Sequence, residues 1–134
     1  MERIQRRVGN HRFGFKKSLF EFYFNLSLNI KTILLTGATG YVGGRLLKDL
    51  ESDGHRVRCL VRRPELMKGR TGPATELIRS DLSDYPTLVN AMKGVDAAYY
   101  LVHAMGSAVD FETEDRRLAD VFSRAARAAG VPRI

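Results

Sequence analysis

Thr36-Gly37-Ala38-Thr39-Gly40-Tyr41-Val42-Gly43-Gly44 is the stretch that decides the fold. It follows a short apolar run, Thr32–Thr36 (TILLT), of the kind that forms a buried parallel strand. It leads into Val42, Leu46, Leu47 and Leu50, apolar positions at helical spacing. A glycine-rich turn between such a strand and such a helix serves a phosphate: Gly37 allows the sharp turn out of the strand. Gly40 removes a side chain where backbone approaches a pyrophosphate, and Gly43 lets the helix pack closely on the strand. Backbone N–H groups and the positive end of the helix dipole then face the anion. A nucleoside-triphosphate P-loop is excluded, because that motif needs Gly-Lys-Ser/Thr and this loop runs Gly43-Gly44-Arg45-Leu46.

Outward from the loop the pattern repeats. Gly54 supplies a left-handed stop for the first helix, and Arg56–Val61 (RVRCLV) reads as a second strand closed by Arg62, Arg63 and Pro64. Residues 65–73 read as a loop with a short helical turn, and Glu76–Arg79 as a third strand. Asp84 is placed to cap a helix with Pro86 in its first turn, Leu88 and Met92 on its buried face and Gly94 at its end. Val95–Val102 (VDAAYYLV) reads as a fourth strand. Asp110 is expected to open a last helix with an apolar stripe of Phe111, Leu118, Phe122, Ala125 and Ala129. Its outer face carries Glu112 with Arg116 and Asp120 with Arg124. Gly130 and Pro132 end that helix, and Val131–Ile134 reads as the start of a fifth strand. Strand and helix in alternation predict an α/β fold with a doubly wound parallel sheet of the Rossmann type, cut off after about four strands and the start of a fifth.

The end of the second strand separates the two nicotinamide dinucleotides. An NAD site usually has a carboxylate there for the ribose 2′-hydroxyl. Here Arg62 and Arg63 occupy the place, and the nearest carboxylate, Glu65, lies beyond Pro64. A guanidinium pairs with a 2′-phosphate that a carboxylate would repel, so NADP is the expected cofactor, with NAD the alternative. The competing reading makes both arginines merely solvated surface residues.

Composition supports this and narrows the partners. The 134 residues carry a formal net charge of +7, but the excess is local. Residues 1–31 hold seven Lys/Arg against Glu2 and Glu21, whereas residues 32–134 hold fifteen against thirteen. The expected domains are therefore a basic N-terminal extension over 1–31, outside the core, and a partial dinucleotide-binding domain over 32–134. Phe13, Phe15, Phe20, Phe22, Tyr23 and Phe24 interleave with basic residues in the extension. It matches no recognised nucleic-acid module, and no nucleic-acid partner is expected. No stretch approaches the ~20 apolar residues of a membrane helix, so no stable membrane insertion is expected. The expected location is cytoplasmic; the Arg-rich, acid-poor start also admits an organellar presequence. The single cysteine, Cys59, lies in an apolar strand and excludes an internal disulfide and a cysteine-rich metal site.

TGATGYVGG matches the TGxxGxxG pattern of the short-chain dehydrogenase/reductase superfamily, and the chain from about Thr32 to Ile134 resembles its extended and atypical branches. VRCLVRRPE, SDLSD and GVDAAYYLVHAMG add to the match. With DFETEDRRLADVFSRAARAAGVPRI, the last is similar to atypical nucleoside-diphosphate-sugar-epimerase-like proteins. The resemblance implies that Asp81 and Leu82 contact the adenine and that Thr39, Tyr41 and Val42 lie along the pyrophosphate. It places Leu101, Val102 and His103 at the nicotinamide half. The superfamily's Tyr-x-x-x-Lys lies after the fifth strand, beyond the end of this sequence, and Tyr99 and Tyr100 do not replace it. No catalytic residue is therefore expected here. The expected function is that of the NAD(P)-binding domain of a protein acting by redox or epimerase-like chemistry on a small molecule, without its catalytic half. The alternative is a non-catalytic nucleotide-sensing protein that regulates a partner. An unfinished sheet is also expected to leave the fourth strand as an exposed edge prone to self-association.

Overall fold

Strand β1 (Thr32–Thr36) is built from side chains that find apolar cover on both faces: Ile33, Leu34 and Leu35 are all buried. The structure, a computed structural model, describes residues 19–20, 29–102 and 108–134. Helix α1 (Tyr41–Ser52) buries Gly43, Leu47 and Leu50. It stops where expected: Gly54 has φ +81°, its N–H donates to Glu51 O, and the N–H of His55 donates to Leu50 O. That paired closure satisfies carbonyls the helix cannot satisfy itself.

Strand β2 (Arg56–Val61), a 3₁₀ turn (Pro64–Met67) and strand β3 (Thr75–Arg79) follow. Helix α2 (Tyr85–Met92), strand β4 (Ala97–Tyr99) and helix α3 (Ala108–Ala129) complete the described elements. All pairings are parallel and the strand order is β3-β2-β1-β4. The sheet separates two cores by the alternation of side chains along each strand. Ile33 and Leu35 of β1 join Val57, Cys59 and Val61 of β2 beneath Leu47 and Leu50 of α1. Leu34 and Leu60 face the other way, against Leu88 and Met92 of α2 and Leu118, Phe122 and Ala125 of α3. The expected doubly wound α/β fold is the one observed.

Besides β3, which begins one residue earlier than expected at Thr75, three boundaries differ from expectation. Strand β4 covers three residues where Val95–Val102 was predicted: at its start one backbone bond, from the Asp96 N–H to Thr32 O, stands beside a side-chain bond, and at its end side-chain bonds take over. At its start the Asp96 carboxylate accepts the Thr32 N–H at 2.8 Å. At its end Thr36 Oγ1 donates to Tyr99 O at 3.0 Å and accepts the Leu101 N–H at 3.1 Å. Helix α3 already includes Ala108, so Asp110 lies within its first turn and does not precede it. Finally, Val131–Ile134 makes no strand, yet the Ala98 N–H donates to Arg133 O at 2.9 Å. One rung is thus laid along β4 on the side away from β1, and its edge there is not bare.

Candidate functional site

The glycine loop is the point where β1, α1 and the end of β4 meet, and its glycines are required by contact as well as by turn. Gly37 has φ +74°, a conformation L side chains rarely adopt. A Cβ there would also stand 2.4 Å from the carbonyl oxygen of Leu101. Gly43 sits so close beneath the loop that a Cβ would lie 2.0 Å from Gly37 O. Its smallness therefore seats the first turn of α1 on the loop's backbone and not, as the sequence suggested, on the strand. The loop closes through the Gly40 N–H, which donates to Gly37 O at 3.0 Å, and the first helical bond runs from the Gly44 N–H to Gly40 O.

Gly40 is the N-cap residue of α1, so no side chain caps the helix, and its first turn holds no acid. The N–H groups of Tyr41, Val42 and Gly43 open this turn, while Thr39, Gly40, Tyr41 and Val42 are exposed. Free N–H groups at an uncompensated positive dipole end are the ingredients of an anion site. Arg45, one turn on, places its guanidinium 5.8 Å from the centre of the Tyr41 ring and donates to the Tyr41 hydroxyl at 3.3 Å.

Thr36 is a residue that the sequence reading did not single out as part of the site. Almost wholly buried, it fastens β1 to the end of β4 and so holds Leu101 against Gly37. The available signal was a hydroxyl at the last position of an otherwise apolar strand.

At the end of β2, Arg62 and Arg63 are both exposed. Glu65, the nearest acid in sequence, is engaged elsewhere: Arg79 Nη2 lies 3.3 Å from its carboxylate, and Arg79 Nη1 donates to Arg62 O. Asp81 is exposed after β3, where its carboxylate accepts the Ser83 N–H at 3.1 Å. That backbone bond, with the positive charges of Arg62 and Arg117, holds the Asp81 carboxyl below the usual carboxylate range against a smaller opposing effect of burial. Leu82 is buried in the α2–α3 core, so its side chain is committed to packing.

Leu101 and Val102 are half-buried past β4 and pack against opposite cores, Leu101 on the α1 side and Val102 on the α2–α3 side. His103 lies outside the described residues. Tyr100 stands just beyond β4, its ring 5.1 Å from that of Phe122 and its buried hydroxyl without a hydrogen-bond partner among the described residues. Burial, then Asp115 and Glu114, raise its pKa above the ordinary tyrosine value. Cys59 is fully buried in the core beneath α1, and burial, with a smaller contribution from Glu51, pushes its thiol up to about 12. The structure thus brings the loop glycines, Thr36 and Leu101 into contact, and leaves Arg62, Arg63 and Asp81 on the exposed ends of β2 and β3.

Comparison with known proteins agrees with this geometry. Residues 29–134 match the model of the NmrA-like family. The sanguinarine reductase of Eschscholzia californica is 42% identical over 76 residues, covering 55% of this chain and 28% of that protein. The crystal structure of a putative epimerase from Bacteroides thetaiotaomicron superposes with a TM-score of 0.62 at 28% identity, covering 77% of this chain and 44% of that one. AtPrR2, solved with NADP+ and (+)pinoresinol, shares the fold at a TM-score of 0.59 and 24% identity, covering 76% of this chain and 34% of that one. The chain spans about a quarter of the length of the curated relatives it matches. Among the described residues no helix is long and apolar enough to cross a membrane. With its glycine loop, parallel sheet order and these matches, the chain belongs to the NmrA-like family and forms an NAD(P)-binding Rossmann domain.

Proposed function

We propose that the domain holds NADP in preference to NAD, in a protein that carries out redox or epimerase-like chemistry on a small molecule. The observation that carries the preference is the pair Arg62 and Arg63, exposed at the end of β2 while Arg79 occupies the nearest acid, Glu65. A 2′-phosphate there meets two cations, whereas a bare 2′-hydroxyl finds no free carboxylate of the kind NAD sites use.

The residues present fit a dinucleotide. Gly40 carries no side chain, and any Cβ there would already stand 3.3 Å from Gly37 O, crowding the approach to the loop. In this reading the N–H groups of Tyr41, Val42 and Gly43 donate to the pyrophosphate, and Thr39 lies beside it. Asp81 and Leu82 border the adenine, Leu82 through its backbone because its side chain is buried. In the same reading Leu101, Val102 and His103 face the nicotinamide half. When bound, the nicotinamide supplies a hydride donor or acceptor; the chain's own residues bind and orient it.

The test is calorimetric titration of the chain with NADPH and NADH, repeated with Gly40→Asp and with Arg62→Ala/Arg63→Ala. Binding that favours NADPH, disappears with the new carboxylate and loses its preference without the arginines is the expected result. A folded chain that binds neither nucleotide, or binds NADH more tightly, would sink the proposal.

A further inference from the structure

We infer that residues 1–30 are a docking segment for a membrane surface rich in acidic phospholipid. Their cations meet the headgroups, and their apolar residues dip just beneath. This gives the domain a partner whichever nucleotide it holds.

The segment divides its chemistry in two. Residues 1–17 hold Arg3, Arg6, Arg7, Arg12, Lys16 and Lys17 against Glu2 alone. Residues 18–30 hold one charge, Glu21, among eight apolar or aromatic side chains from Leu19 to Ile30. Ser18, Glu21, Asn25 and Asn29 recur there at spacings of three, four and four. On a helix they line one narrow stripe, with Ser27 the one polar residue off it, and most of the remaining surface is apolar. Of this segment the structure describes Leu19, Phe20, Asn29 and Ile30. The first three are helical and all four are exposed, Phe20 by 69%. Adjacent Leu19 and Phe20 thus present apolar surface to water, which a covering partner would relieve.

Charge decides that the partner is anionic. Residues 1–30 hold six Lys/Arg against Glu2 and Glu21, whereas residues 32–134 hold fifteen against thirteen, so the attraction belongs to this segment. Apolar content decides for lipid over nucleic acid. Bases offer faces on which aromatic rings stack, but no apolar phase for Leu19, Leu26, Leu28 and Ile30. A bilayer offers both, acidic headgroups outside and hydrocarbon just beneath. Length decides that the segment lies on the membrane. As a helix, residues 18–30 would reach about 20 Å, short of the roughly 30 Å of hydrocarbon in a bilayer. Adsorption of this kind is reversible and weakened by salt, and differs from stable insertion.

The experiment is sedimentation of the full chain with vesicles of phosphatidylcholine alone and of phosphatidylcholine with phosphatidylserine, at low and at high salt, beside a vesicle-free control for self-association. The sequence has no tryptophan, so Phe22→Trp supplies a single reporter of depth. The chain is expected to pellet with the acidic vesicles only and to be released by salt. The new tryptophan should shift its emission to the blue and be quenched by brominated acyl chains. Arg6→Gln/Arg7→Gln is expected to weaken binding about tenfold or more, and Phe20→Ser/Phe24→Ser to a similar degree, with a thermal melt of each variant showing that the domain is intact. Failure to bind acidic vesicles, equal binding to neutral ones, or binding that neither pair of substitutions weakens would overturn the inference. Tighter binding to an oligonucleotide than to acidic vesicles at the same salt, with a tryptophan that brominated lipid leaves unquenched, would make the segment a nucleic-acid arm instead.

Discussion

Two helices of this molecule begin in opposite ways. Helix α2 is closed by its own side chains: Asp84 accepts the Thr87 N–H at 3.3 Å and the Thr87 hydroxyl at 2.7 Å, with a proline in the first turn. Helix α1 begins at Gly40 with no capping side chain and no acid, and its first two residues, Tyr41 and Val42, are 78% and 63% exposed. Both starts face the same problem, N–H groups without partners in the helix. Chain chemistry solves it at α2. At α1 no side chain does so, which the proposed function leaves to the cofactor, and Gly37 and Gly43 are held beside the place by contacts too close for any side chain.

Substitutions that swap these characters should rank accordingly. The largest effect is expected from Gly43→Ala, whose methyl would stand 2.0 Å from the Gly37 carbonyl oxygen. It should destabilise the chain by about 3 kcal/mol or more in urea unfolding, and nucleotide binding should go with it. Recovery of wild-type stability would mean that α1 does not rest on the loop. Next comes Thr36→Val, equal in shape but unable to serve the Tyr99 carbonyl or the Leu101 N–H. A loss of about 1–3 kcal/mol is expected, since buried polar groups are left unpaired; a neutral result would remove the proposed buckle between β1 and β4.

Asp84→Ala should cost about 1 kcal/mol in the same measurement, the usual worth of an N-cap, with nucleotide affinity unaltered. A drop in affinity would show that the two helix starts are coupled. The smallest change in stability is expected of Gly40→Asp. It gives α1 the cap that α2 has, but its Cβ meets Gly37 O at 3.3 Å, so the two effects should offset to within about 0.5 kcal/mol. Its thermal melt should therefore match the wild type while its calorimetric trace for NADPH is flat. Retained binding would place the pyrophosphate elsewhere.

Much of this was legible in the chain. Gly54 and Gly94 announced helix ends that the backbone realises with φ of +81° and +72°, and Asp84 announced its cap. These features depend on residues a few positions apart. The salt bridge between Asp120 and Arg124, at 3.4 Å, is local in the same way. The length of β4 was not legible, because it depends on what Thr36 does 63 residues away from Tyr99. Nor was the commitment of Leu82 to the core, which needs Leu60 and Leu88 on neighbouring elements.

The sequence by itself determined the order of strands and helices, the glycine turn and the cations at the end of β2, since periodicity, capping and charge act over a single turn or strand. The tertiary structure decided which of those residues meet. Gly37 is glycine partly because the Leu101 carbonyl arrives from β4, and Gly43 because the helix start lies on the loop. Arg70, unremarkable in the sequence, is carried to the start of α1 by a loop anchored through Met67 and Glu51. Such contacts exist only after distant segments have packed, because burial of the apolar faces, acting over the whole sheet, fixes their approach.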